Sequence, residues 1–208
     1  MGLFSKKEIC PVCGNKIKGN VVLTITNGMS LCQTCSGKIR MDAKMIPEQT
    51  PEQIREHLKM RELNQTKVDE FEANQEIKVG IWRICVDESQ KLWYCSKNKK
   101  DENPQLHGYD EIVGCEFWID GEKYEEQEPE KKGLSALFSN KNKEPEVVAS
   151  MKVIIYLDNP YISQYEVEMI APNDSINKGG LIYKSYKNNA ARIMAVMNSL
   201  KNNSRGES

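Results

Sequence analysis

This 208-residue chain has no apolar run longer than the five residues 153–157. A bilayer-crossing helix needs roughly 20, so no membrane span is expected. Residues 1–7 hold two lysines and no apolar stretch of the kind a secretory signal carries. Histidine is scarce: His57 and His107 are the only two. His57 lies on a charged helix and is expected to be solvated, and His107 precedes Gly108 in a loop. No serine elbow or partnering acid is expected for either, which argues against Ser-His or Cys-His catalysis. Gly179-Gly180 lacks the Lys-Ser/Thr of a phosphate-cradling loop. Net charge is only -1, so no global field draws the chain to nucleic acid or membrane.

What the chain does have is cysteine, seven in all. An odd count without a secretory signal does not read as a disulfide framework. The expected compartment is reducing and cytoplasmic. Cys85, Cys95 and Cys115 are scattered in apolar surroundings and read as buried small hydrophobes. The other four form two pairs, Cys10-Pro11-Val12-Cys13-Gly14 and Leu31-Cys32-Gln33-Thr34-Cys35. Each Cys-x-x-Cys turn offers two sulfurs to one side of a tetrahedral ion, so Cys10, Cys13, Cys32 and Cys35 are predicted to hold Zn²⁺. Four protein ligands leave no open position, making the zinc structural. Between the pairs, Asn27-Gly28 follows a β-branched run over 21–26. That dipeptide favours a type I′ hairpin turn, which returns the second pair to the first. Gly14 and Gly37 are expected to take left-handed backbone conformations beside the sulfurs. Neither pair is expected to open a helix within a βαβ unit, so thioredoxin-like redox chemistry is not indicated.

Charge is unevenly spread. Residues 1–46 carry seven basic residues against Glu8 and Asp42, and the remainder carries 22 basic against 28 acidic. Four thiolates around Zn²⁺ would leave the first part mildly basic. Lys16, Lys18, Lys38, Arg40 and Lys44 are therefore the candidate contacts for an anionic partner, nucleic acid included.

The period of the apolar residues organises the rest. A short helix over 39–45 is expected to close the zinc module. Thr50-Pro51-Glu52-Gln53 opens a second helix with a capping box and Pro at its first position; Ile54, Leu58 and the stem of Arg61 share one face, and Asn64-Gln65 is expected to break it. Strands are predicted over 79–86, 91–95, 109–120, 147–158 and 162–171, with Trp82, Trp93 and Trp118 in the core. Residues 122–146, with Glu122, Glu125, Glu126, Glu128 and Glu130, read as a mobile polar insertion. Tyr183, Tyr186, Ala190, Ile193, Met197 and Leu200 recur at helical spacing and form one apolar stripe. The expected class is α+β. A small zinc ribbon occupies 1–46 and a helical linker 47–76. A strongly bent antiparallel sheet or open barrel with a C-terminal helix fills 77–202, and a disordered tail ends at 208.

The cysteine motif, with Gly28 and Leu31, resembles a short four-cysteine zinc-ribbon domain of unknown function that begins many proteins of Gram-positive bacteria and their phages. The later pattern is similar to bacterial pleckstrin-homology-like domains. It runs through Val86-Asp87-Glu88, Tyr109-Asp110-Glu111-Ile112-Val113 and Phe117-x-x-Asp120-Gly121 to the final helix. Relatives often carry a glycine-rich stretch where this chain has its polar insertion. The resemblance brings no activity. A small rigid ribbon is a natural docking module, the body offers a sheet edge or loop surface, and no convergent acid, base and nucleophile can be assembled, so the expected function is a non-catalytic adaptor whose partner is another protein. Two other readings stay open: nucleic-acid binding through the basic ribbon, and peripheral membrane binding through the body. The acidic balance of the body argues against the last.

Overall fold

The computed structural model describes residues 8–18, 23–97, 101–125 and 146–205. The β-branched residues Val21 and Val22, nearly all of the polar insertion and residues 206–208 lie outside these. The fold is mixed α and β, with antiparallel sheets and a C-terminal helix.

Asn27 and Gly28 both adopt positive φ, 57° and 68°, and Leu31 N–H donates to Leu23 C=O at 3.0 Å. The predicted turn is thus formed. The helix that follows is displaced, however. It is α1, Gln33–Lys38, with Cys32 as its N-cap, while residues 39–45 are turn and bend. Gly37 is therefore helical, not left-handed, and only Gly14 has positive φ, 73°.

Helix α2, Pro51–Asp69, begins with the capping box, Thr50 Oγ1 accepting from Gln53 N–H and Gln53 Oε1 from Thr50 N–H. It does not break at Asn64. That residue is buried because it ties the helix to the loop beyond. Asn64 donates to Asn103 Oδ1 and to Pro104 C=O at 2.7 Å, and accepts from Leu106 N–H at 3.0 Å. Replacing it by alanine leaves those loop groups without partners. Asn64→Ala should lower unfolding free energy by about 1–3 kcal/mol in a urea titration.

The long strand expected over 79–86 is two strands. β1 (Gln75–Val79) and β2 (Trp82–Asp87) turn at Gly80, whose φ is 57°. β3 (Leu92–Ser96) and β4 (His107–Gly108) complete one antiparallel ladder in the order β1-β2-β3-β4. Residues 109–111 form a 3₁₀ turn rather than strand, and β5 (Ile112–Ile119) follows. Asp120 and Gly121, both at positive φ, turn the chain into β6 (Glu122–Lys123). β7 (Val147–Val148), β8 (Met151–Leu157), β9 (Gln164–Glu168) and β10 (Ile176–Asn177) come next. The second ladder runs β6-β5-β8-β9, and β7 pairs with β10. No closed barrel forms among the described residues.

Helix α3, Leu181–Arg205, extends through the start of the expected tail. Its stripe residues Ala190, Ile193 and Met197 are fully buried with Trp93, Val153, Ile155 and Val167 in the main core. Trp82 is buried too, whereas Trp118 is half-buried and donates to Glu116. Cys85 and Cys95 are buried as expected, and Cys115 is half-buried. A second, smaller core gathers Cys10, Ile25, Leu31, Cys32, Cys35, Ile39, Ile46 and Ile54. Among the described residues no helix is long and apolar enough to cross a membrane.

Candidate metal centre

The first cysteine turn is built by backbone hydrogen bonds. Gly14 N–H donates to Cys10 C=O, and Cys10 N–H to Asn15 C=O, both at 2.9 Å. Left-handed Gly14 lets the chain double back so that Ile9 bridges Lys16. Arg55 of α2 braces this turn by donating to the carbonyls of Pro11 and Val12. The second pair is held by α1, which places Cys35 one turn beyond Cys32; Ser36 N–H and Oγ both donate to Cys32 C=O.

These two supports bring the Sγ atoms of Cys10, Cys13, Cys32 and Cys35 within 4.8 Å of one another. Cys13 Sγ and Cys32 Sγ are 3.6 Å apart. A disulfide would need about 2.05 Å. Tetrahedral Zn²⁺ with bonds of about 2.3 Å sets S···S separations of about 3.8 Å. The donor set therefore fits a zinc-like ion. Three of the four cysteines are buried and Cys13 is exposed. Burial opposes ionisation of Cys10, but backbone hydrogen bonds at Cys32, Cys13 and Val12 prevail and lower its pKa to about 6, whereas burial and the neighbouring sulfurs push the Cys35 thiol up, so the first proton leaves the cluster at Cys10. Thiolate is the form a metal takes.

The second pair opens helix α1, with Cys32 as its N-cap. That helix leaves a hairpin rather than a parallel βαβ unit, so the thioredoxin context is still missing. Of the basic residues, Lys16, Lys18, Lys38 and Lys44 are exposed. Arg40 is half-buried and committed: it meets Asp101 at 3.3 Å and donates to the carbonyls of Gly37 and Ile39. Beside it, Asp42 Oδ2 accepts from Ser163 N–H and Oγ at 3.0 and 2.6 Å, and Asp42 N–H donates to Tyr161 C=O at 2.7 Å. These bonds clasp the cysteine module to the strand-rich body. In the sequence Asp42 looks only like one acid in a basic segment.

Both histidines depart from expectation. His57 is buried, because α2 turns that face toward Arg40 and Tyr161. Its Nε2 accepts Arg40 N–H at 3.1 Å, so Nδ1 carries the proton. Burial first, then the charges of Arg61 and Arg40, lower its pKa from 6.5 to about 4. The unfolded chain thus binds more protons between those two values. Stability from this group is complete above about pH 6.5 and falls as pH drops toward 4, by at most about 1.4 kcal/mol per pH unit. Urea titrations at pH 7 and pH 5 should show a smaller loss in His57→Gln than in the parent. His107 is fully buried. It has a partnering acid, since Nδ1 lies 2.7 Å from Glu111 Oε2, and Nε2 lies 2.9 Å from Tyr165 Oη. Its spacing of four from Glu111 was the available signal, hidden by a strand reading of 109–111. Of the acidic group, Glu122 and Glu125 are exposed, and Glu126, Glu128 and Glu130 lie outside the described residues.

No protein-family model matches the chain, and no curated protein or solved structure shows significant similarity to it.

Proposed function

We propose that this protein is a non-catalytic, zinc-binding interaction protein. A structural zinc on Cys10, Cys13, Cys32 and Cys35 stiffens a ribbon over 1–46, and a linker over 47–76 joins it to a pleckstrin-homology-like body over 77–202. Its partner is another protein, in the manner of a bacterial or phage adaptor working in the cytoplasm. The observation that carries this reading is the convergence of four sulfurs within 4.8 Å, with no fifth position implied. The body reading rests on antiparallel ladders followed by a C-terminal helix whose apolar stripe enters their core.

Exposure of Lys16, Lys18, Lys38 and Lys44 favours a second reading, nucleic-acid binding through the ribbon. Arg40 drops out of that surface because its charge is paired with Asp101. Two measurements test these readings. Native mass spectrometry should show one zinc per chain, and a metal-free folded protein would sink the central claim. Affinity purification from a bacterial lysate, with and without nuclease, should return nuclease-resistant protein partners. Partners lost on nuclease treatment, with binding that falls steeply with salt, would replace the adaptor by the nucleic-acid reading.

A further inference from the structure

Where the cysteine module and α2 meet the strand-rich body, a cleft of about 910 Å³ opens. That is within the roughly 300–1,000 Å³ range of small-molecule sites. Ile39, Met41 and Leu58 line it from one side, Ile162, Tyr165 and Trp82 from the other. Its charged residues balance in sign: Lys38, Arg40, Arg61 and Lys97 against Asp42, Glu62, Asp101 and Glu102. Most are spoken for. Asp42 holds Ser163, Asp101 holds Arg40 and Asn103 N–H, and Lys97 lies 4.7 Å over the Trp82 ring and 3.3 Å from Glu168. Glu62 and Glu102 are exposed.

Two of the residues lining the cleft carry side-chain donors that are covered and unanswered. Among the described residues, three buried side-chain nitrogens have no hydrogen-bond partner: His57 Nδ1, Arg61 Nε and Trp82 Nε1. All three are donors, and the residues of the last two line the cleft. Arg61 is 4% exposed and Trp82 6%. Arg61's other nitrogens are used, Nη1 on Gln105 Oε1 at 2.6 Å and Nη2 on Asn103 C=O. The guanidinium is thereby fixed with Nε left over. Buried donors rarely go unanswered in folded proteins. By contrast, Trp93 Nε1 donates to Gly108 C=O and Trp118 Nε1 to Glu116.

We propose that this cleft binds a small oxyanion, carboxylate or phosphate, carried on an apolar stem. The oxyanion accepts from Arg61 Nε–H and Trp82 Nε1–H, and the stem lies against Met41, Leu58 and Ile162. The site does not depend on the ribbon's partner, so it stands or falls separately from the adaptor reading.

The test is a titration of the full-length, zinc-loaded protein by ¹⁵N NMR with acetate, hexanoate and inorganic phosphate as probes. The Trp82 Nε1–H and Arg61 Nε–H resonances should shift together and saturably, while the Trp93 and Trp118 indole resonances stay in place. Hexanoate should bind several-fold more tightly than acetate, since its extra methylenes leave water. Trp82→Phe keeps an aromatic ring, though a smaller one, and removes the donor, and should weaken binding about tenfold or more. Arg61→Lys should do the same; if its lost loop contacts unfold it, Trp82→Phe alone decides. No saturable shift to tens of millimolar, a Trp82 indole answered only by water, unchanged affinity in Trp82→Phe, or equal affinities for acetate and hexanoate would each overturn the assignment.

Discussion

Stripping the metal with a chelator should unfold the cysteine module and leave the larger core standing. The small core holds few residues besides three of the cysteines themselves: Ile25, Leu31, Ile39, Ile46 and Ile54 are its other buried members. So little apolar area cannot offset the conformational entropy of ordering the module. Metal binding can, at an apparent 10–16 kcal/mol or about that in zinc-finger peptides near neutral pH. Amides of residues 8–18 and 23–46 should therefore lose hydrogen-exchange protection on chelation, while those of β8 and α3 keep theirs. Cys10→Ser, Cys32→Ser and Cys35→Ser should each reproduce the loss, since a hydroxyl is a poor replacement for thiolate on zinc. Cys95→Ser, far from that cluster in the main core, should leave metal content unchanged. Protection that survives chelation intact would remove the metal from the folding account. The module's unfolding should also free Ser163 and Asp101, the groups that Asp42 and Arg40 hold.

The parts legible in sequence were those governed by local rules. Two Cys-x-x-Cys turns, an Asn-Gly dipeptide, Thr-Pro-Glu-Gln and a helical apolar stripe each fix their structure within a few residues, and each formed. The misreadings share a different cause. Gly80 is one residue in an apolar run, and only pairing of Ile77 with Ile84 and Val79 with Trp82 makes it a turn. Asn64 resembles a helix breaker until the loop 103–106 arrives to satisfy its amide. His57 and Arg61 lie on a helix rich in charge, and their burial depends on the docking of the body against that face. Asp42, Arg61 and Trp82 reach the cleft from three separate segments, and no periodicity links them. Non-local polar bonds of this kind leave no trace in a sequence pattern.

Replacing His107 by alanine should cost about 3–5 kcal/mol, among the largest losses from any single polar side chain here. Its ring is enclosed by Trp93 and Tyr165, at centroid distances of 5.3 and 5.5 Å. Removing it opens a cavity beside the most buried tryptophan. It also strands two groups. Tyr165 Oη loses its 2.9 Å partner, and burial already raises that hydroxyl's pKa, so it cannot ionise as a way out. Glu111 loses one of the bonds that overcome its burial. His107, Asn159 and Gly108 N–H together hold the carboxyl below its ordinary value. Three variants separate these causes. His107→Phe fills the space and keeps only the packing, so its loss of about 1–3 kcal/mol measures the polar share. Tyr165→Phe deletes one bond and should cost about 1 kcal/mol. The His107→Ala, Tyr165→Phe double variant should fall short of the sum of the singles, because alanine has already stranded the hydroxyl that phenylalanine removes. Urea titrations of the zinc-loaded protein read all three. Strict additivity would mean that histidine and tyrosine act independently, and the network would then be two contacts rather than the strut that joins β4 to β9.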